Sequence, residues 1–150
     1  MAQEIGKQEY VEFLSNNYVG NLAYISSNTP FMVPLTYYYD REENVIISYS
    51  NEGHKIEAMR LNNNVSIQIA EVESLDKWKS VLLIGDFEEL TGSEAKMYLH
   101  KFSKNVKNIS AKKENKNPEL IDFFSSKLNN EGIPIVYKIK IHEIIGRKKD

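Results

Sequence analysis

The chain has no cysteine in its 150 residues. Disulfides, thiolate metal sites and cysteine nucleophiles are excluded, and the composition fits a reducing compartment such as the cytoplasm. No apolar run approaches the roughly 20 residues that span a bilayer. The N-terminal MAQEIGKQEY also lacks the basic-then-apolar pattern of a signal peptide. A soluble cytoplasmic protein with no membrane partner is expected. Neither charge dominates: 19 Lys and Arg stand against 21 Asp and Glu, a net −2. Phosphate-backbone binders carry a clear basic excess, so no nucleic-acid partner is expected. No HExxH or Ser-His-Asp pattern stands out, and the three histidines have no metal-site spacing. What is present is ordinary for one globular domain over residues 1–150, at 41% hydrophobic and 27% charged. A chain of this length can bury a core without metal or disulfide staples.

The apolar pattern is mainly of period two. Residues 7–17 read as a helix with Tyr10, Val11, Phe13 and Leu14 on its buried face. Strands are predicted over 18–26, 31–39, 45–50, 65–72, 79–90 and 133–145. The first three have short links, which argues for an antiparallel meander. Pro34 places its strand at an edge or a bulge, and Gly85 marks a bulge or sharp bend. Helices are predicted over 54–62, with Ile56, Met59 and Arg60 covering a barrel end, and from about Ser93, with Met97, Tyr98, Phe102 and Val106 inward. Residues 105–117 read as an exposed Lys/Asn-rich loop. A further helix starts at Asn117-Pro118, with Leu120, Ile121, Phe124 and Leu128 on its face. Residues 146–150 read as a short basic tail. The whole predicts a mainly β fold with flanking helices, a six-stranded antiparallel barrel with covered mouths.

The stretch from Phe31 to Leu61 holds the chemistry. A strand, a polar turn and a second strand lead to Asn51-Glu52-Gly53, and His54 and Lys55 then open a helix. Unpaired N–H groups and the positive end of the helix dipole favour an anion there, and Lys55 adds a full charge. A solvated loop with a basic residue is the other reading. Likewise Val33-Pro34-Leu35-Thr36-Tyr37 can lie along a flat ring system or be an ordinary edge strand. Tyr37, Tyr38 and Tyr39 alternate faces, so only some of them can share a pocket. Glu42-Glu43, Glu71 with Glu73, and Glu88-Glu89 read as solvated charges.

The order and spacing of VPLTYYYD, NVIISYSNEGHKIEAMRLNNNVSIQI and WKSVLLIGDFEEL resemble the flavin-binding split barrels related to pyridoxamine 5′-phosphate oxidase. The nitroimidazole reductase-like branch is the nearest in pattern. The resemblance runs from about Gly20 to Arg147. It implies a six-stranded split β-barrel that dimerises, with FMN, or alternatively FAD, held in clefts between two subunits. By position, His54 and Lys55 fall on the basic phosphate-binding pair, with Tyr49, Ser50 and Gly53 in the accompanying strand end and loop. Val33, Pro34, Leu35 and Thr36 fall beside the isoalloxazine ring. Ser80 and Val81 fall on a strand that reaches the flavin from the partner subunit, and Arg147 near a C-terminal region that reaches it in some relatives. His54 replaces an arginine of the oxidases proper, and their C-terminal arginine-and-tryptophan pattern is missing, which argues against pyridoxamine phosphate oxidation. No catalytic residue is assigned.

The resemblance therefore implies an FMN-dependent oxidoreductase acting on a small planar substrate, with NAD(P)H as a candidate electron donor. The flavin would carry the redox chemistry and the protein would bind and orient it. The alternatives are a non-catalytic flavin or haem carrier of the same fold, and a barrel holding a deazaflavin.

Overall fold

The computed structural model describes residues 2–114 and 134–150. Among these residues, eight strands and three helices follow the order β1 (Gln3–Glu4), α1 (Lys7–Ser15), β2 (Val19–Ser26), β3 (Thr29–Thr36), β4 (Tyr38–Asp40), β5 (Val45–Ser50), α2 (His54–Leu61), β6 (Asn64–Ser74), β7 (Lys77–Glu89), α3 (Gly92–Glu114) and β8 (Ile135–Lys149). The strands form one antiparallel sheet in the order β3-β2-β6-β7-β8-β5-β4, with β1 on β8. The mainly β, antiparallel barrel with flanking helices is therefore present. Two of its eight strands are only two or three residues long.

The stretch 31–39 is not one strand, and the first three predicted strands do not form a meander. The chain breaks at Tyr37, and β3 and β4 lie at opposite ends of the sheet order. Tyr37 N–H donates to Tyr18 O at 2.8 Å, and the Ser48 hydroxyl donates to Thr36 O at 2.8 Å. These bonds draw the two sheet ends together. The Tyr37 ring is fully buried and its hydroxyl donates to Leu14 O at 2.9 Å, which ties α1 to the same seam. Adjacency in sequence suggested pairing here. The buried tyrosine instead makes the chain cross from one sheet end to the other.

Pro34 lies in β3, at the end of the sheet order, paired with Asn21. An edge position accommodates its missing N–H. The β2–β3 hairpin turns through Ser27 and Asn28, both at positive φ, a two-residue turn suited to the strand twist. Gly85 sits at a register shift between β7 and β8, as predicted, and a Cβ there would overlap the Lys140 carbonyl oxygen. Residues 146–150 are not a free tail. β8 runs to Lys149, pairs with β7 and receives β1.

Two apolar clusters result. The barrel interior gathers Leu22, Leu35, Tyr37, Ile56, Met59, Ile67, Ile69, Val81 and Leu83. A second cluster lies under α3 and joins Ile47, Tyr49 and Val136 to Tyr98, Phe102 and Val106. Met97 falls off that stripe and is exposed. Residues 105–114 continue α3. Val106 is fully buried, and the i, i+4 series 98, 102, 106 carries the helix through the polar stretch. The helix expected from Asn117-Pro118, with its Leu120-to-Leu128 face, lies outside the described residues.

Candidate functional site

α2 begins where β5 ends. Ser50 Oγ donates to Asn51 O at 3.0 Å, and Asn51, Glu52 and Gly53 carry the chain to His54. Gly53 occupies the cap position, so no side-chain acceptor caps the helix there. The first-turn N–H groups keep their capacity to bind an anion. Ile56, Ala58 and Met59 are buried and fix α2 over the barrel mouth. Arg60, expected to help cover that mouth, is exposed and ion-paired instead.

Lys55 is half-buried, and desolvation pulls its ammonium below the usual lysine range. Among the described residues no carboxylate pairs with it. His54 is exposed and is held by two aromatics. Tyr24 Oη lies 2.9 Å from His54 Nδ1. Phe31 meets the imidazole edge-on at 4.9 Å and stacks on Tyr24 at 5.6 Å with an interplanar angle of 12°. With Nδ1 engaged by Tyr24, Nε2 is the nitrogen left to meet a ligand.

The remaining predicted positions divide into groups. Leu35, Thr36 and Val81 are fully buried; Leu35 and Thr36 pair with β2, and Val81 pairs with both Ile69 and Gly146 in the middle of the sheet. Tyr49 packs edge-on against Phe102 under α3, at 5.2 Å. Val33 is half-buried against the barrel core, while Pro34 is exposed. Ser80 pairs in register with Arg147. The sheet order puts two strands, β2 and β6, between Pro34 and Ser80. At about 4.8 Å per strand step, β3 and β7 are roughly 14 Å apart. Ser80 and Arg147 thus form one patch, Val81 points into the core, and the β3 edge lies apart.

Sequence reasoning missed Tyr24, Phe31 and Arg60. The two-residue turn was the available signal for the first two, because it sets Tyr24 directly opposite Phe31. Among the described residues no three His, Asp or Glu side chains cluster as a metal site, and no helix is long and apolar enough to cross a membrane.

The family model described as pyridoxamine 5′-phosphate oxidase matches residues 6–148. The chain belongs to the pyridoxamine 5′-phosphate oxidase family. An FAD-binding protein of Mesorhizobium loti resembles this family member with a TM-score of 0.78 and 26% identity, over 100% of this chain and 98% of its own. A Bacteroides thetaiotaomicron protein, provisionally named for 5-nitroimidazole antibiotic resistance, has a TM-score of 0.69 over 99% of this chain and 87% of its own. At 16% identity that likeness shows the fold alone. An uncharacterized protein of Rhizobium meliloti (strain 1021) is 38% identical over 76 residues, 51% of this chain and 49% of that relative. The match thus spans about half the length of that curated relative.

Proposed function

We propose that this family member is a homodimeric flavoprotein. It holds FMN by the phosphate at the start of α2 and works as an oxidoreductase on a small planar substrate, with NAD(P)H as electron donor. One observation carries the reading: Lys55 is a half-buried cation without a carboxylate partner among the described residues, at an uncapped helix start. Such a charge is costly unless an anion meets it. The imidazole oriented by Tyr24 lies in the same turn and adds a hydrogen-bond donor. These groups fit a phosphate monoester. The family and the FAD-binding relative support a flavin as its carrier. When bound, the flavin would accept a hydride from the donor and pass electrons to the substrate.

The outward sheet face supports the dimer. In register across the sheet it carries Met32, Val72, Trp78, Leu82, Ile84 and Ile145, interspersed with Asn21, Ser66, Gln68, Ser80 and Glu143. Met32 and Val72 are 65% and 70% exposed. A sheet face that leaves large apolar side chains exposed among polar ones is suited to a second copy. A partner's Ser80–Arg147 patch could then complete a cleft beside the β3 edge, which the same patch of one chain cannot reach.

The test is to titrate FMN into the purified protein, following flavin fluorescence, and to assay NADH and NADPH oxidation with nitroaromatic and quinone acceptors. Saturable binding that weakens on Lys55→Met, together with turnover, is expected. Binding unaffected by Lys55→Met would end the phosphate reading. Binding without turnover would leave a flavin carrier. Leu82→Asp should convert a dimer to a monomer in sedimentation velocity.

A further inference from the structure

Arg60 lies at the far end of α2, yet its side chain returns to the turn that starts the helix. Nη1 donates to both Glu52 carboxylate oxygens, at 2.9 and 2.7 Å. Nε and Nη2 donate to the two oxygens of Glu89 on β7, at 2.7 and 3.0 Å. One guanidinium therefore ties the Asn51–Gly53 turn to α2 and to the barrel wall. Glu52 is two residues before His54 and is the acidic residue of the turn itself; Glu57 follows in the first turn of α2. A free carboxylate there would oppose an anion arriving at His54 and Lys55. Bound to Arg60, whose single charge it shares with Glu89, it is partly offset and held on the guanidinium.

We propose that Arg60 is a positioning residue for cofactor phosphate, acting through Glu52: it offsets the carboxylate of the phosphate turn and fixes the turn against β7. This rests on the proposal that the start of α2 holds the phosphate of a flavin. Two consequences separate this role from general support of the fold. The benefit of Arg60 depends on the phosphate, so it should be absent for riboflavin, which has the same ring system without that group. It also depends on the Glu52 charge, so removing that charge should repair much of the loss of Arg60.

The experiment compares Kd values for FMN and riboflavin in the full-length wild type, Arg60→Met, Glu52→Gln, the Arg60→Met/Glu52→Gln double variant and Lys55→Met. Arg60→Met should weaken FMN about tenfold, the order expected for exposing one like charge near a phosphate. Riboflavin affinity should stay unchanged, and the double variant should recover most of the lost FMN affinity. Glu52→Gln alone should bind FMN at least as well as wild type. Equal losses of FMN and riboflavin in Arg60→Met, or no rescue by Glu52→Gln, would overturn the role of Arg60 while Lys55→Met still loses FMN selectively. If Lys55→Met leaves the FMN-to-riboflavin ratio unchanged, the phosphate site itself is wrong. Circular dichroism melts on each variant keep these outcomes apart from unfolding.

Discussion

Two lysines, at the α2 and α3 sides of the molecule, have opposite surroundings. Lys101 on α3 donates to Asp40 Oδ2 at 2.6 Å, and that hydrogen bond raises its ammonium above the usual range. Burial pushes the Asp40 carboxyl up, but Lys101 and the N–H groups of Glu42 and Glu43 outweigh it, and Asp40 sits below the ordinary carboxylate range. Tyr98, hydrogen-bonded to Glu43, adds a second tie between α3 and the β4–β5 hairpin. Among the described residues, Lys55 on α2 meets only desolvation. The α3 side has spent its charges on internal pairs, whereas the α2 side holds one in reserve. An unspent, half-buried cation is what separates the proposed binding site from a structural joint here.

Substitution at the joint should have the largest effect. Asp40→Ala removes a buried carboxylate that accepts from Lys101 and from two backbone N–H groups. A loss of about 3 kcal/mol is expected, since hydrogen bonds to a charged group contribute roughly 1.5–3 kcal/mol each before relaxation. Urea unfolding of the apoprotein checks it, and FMN affinity measured well below the unfolding midpoint should be unchanged. A drop in FMN affinity as large as that of Lys55→Met would erase the distinction between the two sides.

The next effect has the opposite sign for apoprotein stability. Lys55→Met should weaken FMN about 30-fold, or roughly 2 kcal/mol, the scale of one charge-assisted contact to phosphate. In the apoprotein it should stabilise, because a desolvated charge with no carboxylate partner among the described residues is removed. Lys101→Met should destabilise, because Asp40 then stays buried without its cation. Thermal melts of the two variants without flavin should therefore shift in opposite directions.

The pH dependence sharpens the contrast. Asp40 titrates lower in the fold than in the unfolded chain. Its contribution is fully present above about pH 5 and fades as pH falls through the lowered folded value. The stability gap between wild type and Asp40→Ala should thus close on acidification. Lys55 is also lowered, but for a base this means that the unfolded chain binds the proton more tightly. Its penalty holds at neutral pH and lifts as pH rises through its folded value toward the unfolded value near 10.4. The apo wild type should gain on Lys55→Met as pH rises.

The sequence made the α2 side more legible than the α3 side. Asn51-Glu52-Gly53 before an apolar i, i+3 pair announces a helix start, and α2 lies within one residue of the range read from it. β6 was equally plain, since Val65, Ile67 and Ile69 alternate and all three are buried. α3 beyond residue 105 was obscure because one buried residue per turn suffices when a helix packs on a sheet, and the intervening Lys and Asn dilute the pattern. The break at Tyr37 was hidden because VPLTYYYD is uniformly rich in strand formers, and only the fate of a buried ring shows where the chain crosses. Arg60 looked like a covering residue by spacing alone. Its partners lie 8 and 29 positions away, and helical spacing says nothing of them.

The finest test concerns Tyr24, whose hydroxyl is 2.9 Å from His54 Nδ1. Tyr24→Phe keeps the ring that stacks on Phe31 and removes only the oxygen that holds the imidazole. A buried ring of the same shape should leave the barrel intact, with a stability change within about 0.5 kcal/mol. The imidazole then loses its fixed tautomer and turns more freely, so FMN affinity should fall about fivefold, or roughly 1 kcal/mol, the net value of one hydrogen bond. His54→Ala should cost at least as much, and adding Tyr24→Phe to it should cost nothing more, because the hydroxyl acts only through the imidazole. Additive losses in that cycle would mean that Tyr24 meets the ligand directly, and the α2 side would then bind through its barrel wall as well as its helix start.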